Sequence, residues 1–218
     1  MFLGHFGVAF ASKRVAPRLS LGTTVLAAQW ADGLWPLLAL LGVEQVEIRP
    51  GITRVTPLDF VSYPWSHSLL ADLVWAAIFA LVYGTLRKDR RGAAWLAVLV
   101  LSHWVLDVIA HRPDMPTWPG GPKLGMGMWD SLPATLVVEF GLFGVGLWLY
   151  IASTVARDTL GKVLMWTFAI TLVVLYFAAV FGPPPPSTLA LAFTGLFGWL
   201  FVAWAYWIDR HRVPAIAV

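Results

Sequence analysis

The chain is divided into six long apolar runs, at residues 21–43, 67–86, 92–111, 133–155, 162–181 and 187–208. Each has the length a helix needs to cross hydrocarbon, since about 20 residues at about 1.5 Å per residue span a layer of about 30 Å. Inside such a layer every backbone N–H and C=O must be satisfied within the segment, so runs of this kind fold as helices. Composition agrees: 59% of the 218 residues are hydrophobic and 12% charged, more apolar surface than a water-soluble fold of this size hides. The fold expected is all-α, a polytopic membrane helical bundle of about six transmembrane helices. A shorter apolar piece at residues 2–11 runs into Lys13, Arg14 and Arg18. It is too short to span, and its basic residues follow the apolar stretch instead of preceding it. It therefore reads as an N-terminal half-helix and not as a signal peptide.

Lys and Arg set the expected orientation. The clusters at 13–18, 88–91, 157–162 and 210–212 fall on one side if the six spans alternate, and that side should be cytoplasmic. The expectation is a multi-pass protein of the bacterial inner (cytoplasmic) membrane with both termini cytoplasmic. The net charge of +3 sits in these short clusters and forms no basic stripe, which argues against a nucleic-acid partner. On the outer side lie the loops 44–66 and 112–132, expected to cap the surface, and the run Pro183 to Pro186, expected as a stiff turn. Most tryptophans fall near span boundaries, where aromatic belts collect. Gly141, Gly144, Gly146, Gly195 and Gly198 suit close helix packing.

Against this background the ionisable residues inside the runs stand out, because a charge at mid-membrane costs about 3 kcal/mol or more and such residues are functional by default. Counted inward from the outer end of each span, Asp107, Asp72 and Glu139 lie about 8–9 Å deep, and His103 and Asp32 about 14 Å. A half-helix rising from Lys13 lifts His5 about 12 Å toward the same stratum. His103, Asp107 and His111 recur every four residues along one helix face, which pre-sets a chelating pair. Gln29, Asp32, Gly33 and Pro36 suggest a local helix break that frees backbone groups beside a cavity. His67 follows Ser66, expected to cap the second span, and Asp130 is expected to cap the fourth. With no cysteine in the chain, a metal must be held by imidazole and carboxylate, a set that suits zinc among divalent ions. The candidate ligands are His5, Asp32, His67, His103, Asp107 and His111. Asp72 and Glu139 can be ligands, can orient an imidazole, can act as general base, or can pair with Arg112.

The order of His5 in GHFGVAF, Asp32 in QWADGLWP, His67 in SHS and His103 with Asp107 in HWVLD resembles the bacterial inner-membrane metal-dependent hydrolases. More distantly, the order His, Asp, His, His-x-x-x-Asp is similar to that of zinc-dependent phospholipase C and the related single-strand nucleases. The resemblance covers roughly residues 1 to 150 and implies a metal cluster that hydrolyses phosphoesters or lipids. It carries over to His5, Asp32, His67, His103 and Asp107, extends to His111 and Glu139, and implies the Met1 amine as a further ligand. One departure is clear: the family's paired-acid motif keeps Asp32, but Leu34 takes the second acid's place, which leaves a second metal unsupported. The implied function is hydrolysis of an amphiphilic or phosphoester substrate by a metal-activated water, with Glu139 or Asp72 taking the proton and Arg112 holding an anionic head group. The site should open to the outer face. The alternatives are a proton or metal-ion transporter and a non-catalytic membrane protein stapled by its metal. By this reading residues 1–155 form the metal-site bundle, and the two spans of 156–218 serve packing.

Overall fold

The computed structural model describes residues 1–215 and is helical apart from short strands. The helices are α1 Leu3–Val15, α2 Leu21–Ala28, α3 Trp30–Leu40, α4 Pro64–His67, α5 Leu69–Arg87, α6 Arg90–Ala110, α7 Leu132–Ser153, α8 Thr159–Phe181, α9 Thr188–Gly195 and α10 Gly198–Arg210. Three antiparallel ladders join β1 Gln45–Ile48 to β2 Leu58–Ser62, β3 Met115–Pro116 to β4 Lys123–Leu124, and β5 Thr154–Ala156 to β6 Arg212–Pro214. The first two ladders build the loops expected to cap the surface.

Five segments are long and apolar enough to cross a membrane: α5, α6, α7, α8 and the α9–α10 pair. The run 21–43, expected as a sixth span, is instead α2 and α3, of 8 and 11 residues, joined at Gln29. The break precedes Gly33 and Pro36, the residues expected to cause it, and both lie inside α3. Pro36 acts differently, because its missing N–H leaves the carbonyl four residues back, that of Asp32, without its helical donor.

Helix starts follow capping chemistry. Ser20, Ser68, Asp89, Ser131, Asp158 and Ser187 each accept a hydrogen bond from a backbone N–H three residues on, which satisfies one of the donors a helix N-terminus leaves open. Two expected caps move accordingly. Ser68, not Ser66, caps the second long helix, and Ser66 lies with His67 in the short α4. Ser131, not Asp130, caps α7, and Asp130 ends a 3₁₀ turn, Met128–Asp130.

Lipid tails are as apolar as leucine, so helices in a bilayer associate through close packing more than through exclusion of water. The α1–α7 pair shows how. A Cβ added to Gly146 would strike the Gly7 carbonyl, and one added to Gly7 would meet the Leu142 carbonyl oxygen at 2.5 Å, so both glycines are fixed by the close approach of two backbones. Gly195 is likewise held against Pro36 of α3, whereas a Cβ on Gly141 or Gly144 meets nothing within 4 Å, and these two have no packing role.

The buried α1 is the half-helix. Its far end lies among basic residues, where Lys13 Nζ donates to the Leu19 carbonyl (2.5 Å) and stands 3.7 Å from Asp209 of α10. The β5–β6 ladder ties the α7–α8 turn to the end of α10, so the clusters at 13–18, 157–162 and 210–212 gather at one end of the bundle. One core joins Phe6 and Phe10 of α1, Leu99 of α6, Phe143 of α7, Phe168 of α8 and Ile208 of α10, so residues 1–155 and 156–218 share it.

Candidate metal centre

α6 carries His103 and Asp107 one turn apart, and both are buried. α1 brings His5 in from the other side, its ring stacked on that of His103 with centroids 3.8 Å apart and planes within 5°. The break at Gln29 swings Asp32 toward them, and α4 supplies His67. His111 is the residue after α6, and its backbone N–H still bonds to the Asp107 carbonyl (2.7 Å), so the four-residue stacking read from the sequence persists beyond the helix end.

These residues converge on the Asp107 carboxylate. Oδ1 is 3.1 Å from His5 Nε2 and accepts a hydrogen bond from the Met1 amine. Oδ2 is 3.2 Å from His103 Nε2 and 3.9 Å from both His67 Nε2 and His111 Nε2. Asp32 Oδ1 lies 3.5 Å from His67 Nε2 and 3.8 Å from His103 Nε2. All six expected ligands are therefore in one place, with four of the chain's five histidines. The fifth, His211, bonds to Asp158 (2.7 Å).

The outward nitrogens of three of these rings are anchored, which fixes what their inward nitrogens can do. His103 Nδ1 donates to the Ala28 carbonyl (2.7 Å), an acceptor at the C-terminal edge of α2 beside the Gln29 break. His111 Nδ1 donates to Asp114 (2.9 Å), which also takes the Tyr63 hydroxyl (3.0 Å). Burial, reinforced by the Asp114 carboxylate, holds the Tyr63 phenol well above its ordinary pKa, so it stays a donor. His67 Nδ1 meets Ser66 Oγ at 2.6 Å, and that hydroxyl also contacts Glu44 Oε2 at 2.6 Å. Glu44 Oε1 accepts from the Trp65 and Ser66 N–H groups, both at 2.8 Å. A carboxylate only accepts, so Ser66 donates to Glu44 and takes the proton of His67 Nδ1–H. In all three rings Nδ1 carries a proton, which leaves Nε2, turned toward Asp107, as the nitrogen able to ligate a metal.

The donor set fits a divalent cation. Two ligands on one tetrahedral zinc, with bonds of about 2.0–2.1 Å, stand about 3.3 Å apart. The His5–Asp107, His103–Asp107 and His67–Asp32 separations of 3.1, 3.2 and 3.5 Å match that spacing. Two triads have ligand atoms all within 4.8 Å of one another: His5, His103 and Asp107, and Asp32, His67 and His103. His103 Nε2 is buried and, despite its distance to Asp107, makes no hydrogen bond among the described residues. A buried lone pair left without a donor is what a ligand looks like without its ion.

The cluster opens onto a cavity of about 590 Å³. Asp32, His67, Asp107, His111 and Glu139 form its polar end, and Trp35, Trp129 and Trp199, read from the sequence as belt residues, line its walls. Comparison with protein-family models, with curated proteins and with solved structures finds no match.

The three residues expected to do chemistry separate by position. Glu139 lines the cavity, and its carboxylate accepts from the Phe2 (3.0 Å) and Gly4 (2.8 Å) N–H groups, so it caps α1 as it faces the cluster. Asp72 is fully buried, and neither of its oxygens has a hydrogen-bond partner among the described residues. Arg112, expected to hold an anionic head group, spends its guanidinium on Asp59 and on Asp114 (3.1 Å). Glu44 and Asp114, which orient His67 and His111, escape sequence reading, because each looks like an ordinary loop acid. Their one sequence signal is an acid placed within a few residues of a ligand or at the edge of an apolar run.

Proposed function

We propose that this chain is a membrane-embedded metal-dependent hydrolase of a lipid or phosphoester substrate, with zinc as the ion. The observation that carries the reading is the set of three anchored imidazoles whose Nε2 atoms converge on Asp107 at the mouth of a cavity. Metal-ligating histidines typically donate their other ring nitrogen to a carbonyl or carboxylate, which fixes the tautomer and raises basicity. The order of the same residues in the sequence, similar to that of metal-dependent hydrolases, supports it further.

His5, Asp32, His67, His103, Asp107 and His111 would hold the ion. When bound, the ion would supply an acidified water and polarise the scissile oxygen. Glu139 would take the proton, a role supported by its carboxylate facing the cluster and bordering the cavity. Asp107, reached by four imidazoles, sets their mutual spacing. The cavity supports hydrolysis over a purely structural staple, which would close its coordination shell, and the basic clusters between the spans suit a bacterial inner membrane with the site facing outward.

The test is metal analysis of the purified protein, wild type beside Asp107→Ala and His103→Ala, with turnover of a panel of phospholipid and phosphoester substrates. Stoichiometric metal and metal-dependent turnover are expected in the wild type, with both lost in the variants. Metal retained by both variants, or bound metal with no turnover across the panel, would overturn the reading.

A further inference from the structure

The cavity beside the cluster carries its charged groups at one end only. Away from Asp107 its wall is Leu175, Ala179 and Val180 of α8, Leu191 of α9, and Phe201 and Val202 of α10. Among the described residues no Lys or Arg lines it. The segments expected to serve packing alone thus supply one side of the chamber. Its volume, about 590 Å³, falls in the range of about 300–1,000 Å³ typical of small-molecule sites.

The chamber also opens sideways. α9 leans on α3, with Gly195 against Pro36, while Leu175 of α8 is 41% exposed although it lines the wall. Phe197, at the α9–α10 junction, lines the wall and is 61% exposed. α8 and the α9–α10 pair are both long and apolar enough to cross a membrane, so the exposed Leu175 and Phe197 turn this side of the chamber toward lipid tails. An uncharged slot at that depth is closed to a hydrated ion and open to a hydrocarbon chain.

We infer that this chamber binds one alkyl chain of a bilayer lipid, admitted sideways between α8 and α9–α10, with its head group delivered to the Asp107 cluster. The inference rests on the hydrolase reading for the fate of the head group, and the binding of the chain stands apart from it. Gly198 offers the means of testing it. It lines the chamber, and a Cβ placed there meets nothing within 4 Å among the described residues, so a larger side chain has room at the chamber wall without displacing a helix.

The experiment places the full chain in nanodiscs of phosphatidylcholine carrying a photoactivatable diazirine in the middle of one acyl chain, and maps the cross-links by mass spectrometry. Labelling of Leu191 and Val202 is expected in the wild type. Gly198→Phe should reduce it about tenfold or more, since the loss of even two buried methylenes reaches that factor. Ala179→Phe, which fills the chamber from the α8 wall, should do the same if Gly198→Phe fails to fold. Labels confined to outward residues such as Phe193 and Leu200, or labelling unchanged in both variants, would overturn the inference while the hydrolase reading stood. A labelled chamber in a protein that turns over no ester would sink the hydrolase reading and leave the chamber.

Discussion

Glu44→Gln tests the anchoring of His67 with the smallest change the site allows. The amide oxygen can still accept the Trp65 and Ser66 N–H groups that Glu44 Oε1 now takes at 2.8 Å, so the start of α4 keeps its partners. The second position changes from an acceptor to an NH₂ donor, 2.6 Å from Ser66 Oγ. The hydroxyl then accepts from the new amide and loses the acceptor for its own proton, which favours turning that proton toward His67 Nδ1 and moving the ring proton onto Nε2. An Nε2–H cannot ligate, and recovering the working tautomer breaks a hydrogen bond. Loss of such an outer partner lowers metal affinity about 10–100-fold, equivalent to about 1.4–2.7 kcal/mol. Competition with a fluorescent chelator, wild type against variant in one detergent, measures the difference, and thermal unfolding of the metal-free forms should differ little. Equal affinities in the two proteins would refute the argument, because both the tautomer shift and the loss of the Glu44 charge predict weaker metal binding.

Glu139→Gln should lower turnover about 10²–10⁴-fold, the usual contribution of a general base, with metal content unchanged. Steady-state rates normalised to bound metal check it. Gly146→Ala should destabilise the bundle by about 1–3 kcal/mol, because its methyl meets the Gly7 carbonyl of α1. Gly144→Ala, with open space at its Cβ, should instead be neutral or stabilising by up to about 1 kcal/mol, and paired unfolding curves separate the two.

The parts of the fold set by composition over long windows were legible from sequence. Five spans and the half-helix follow from runs of apolar residues and from the Lys13 to Arg18 cluster. The run 21–43 misled because apolar composition records what a segment contacts and not whether its helix is continuous. The interruption falls at Gln29, one residue after Ala28, whose carbonyl binds His103. That contact spans 75 positions of sequence, and no local pattern announces it. The six candidate ligands, which the fold brings together, were legible because each is ionisable where ionisable residues are rare. Glu44 and Asp114 were not, since acids in a loop are ordinary and only the folded chain brings them to His67 and His111. Gly198 misread as packing for a similar reason: small residues suit both close contact and open space, and only the neighbours decide which.

The helix break and the half-helix answer one physical problem. A continuous helix through residues 21–43 would tie the Ala28 carbonyl into its own ladder, and His103 would then lose the acceptor that fixes its tautomer. A full-length first helix would likewise keep the α1 N-terminus out of the bundle, and Glu139 would lose the Phe2 and Gly4 N–H groups that it accepts. Both interruptions expose backbone polar groups where hydrocarbon would otherwise forbid it, and both are tolerated because buried side chains take up those groups. Asp107, Glu139 and Asp72 nevertheless concentrate carboxyl groups in a buried volume, and Arg112 at its edge is held by Asp59 and Asp114. Buried carboxylates need a compensating cation or a proton, and the Met1 amine on Asp107 supplies one positive charge. On the function proposed here, the same ion that activates water also supplies that compensation.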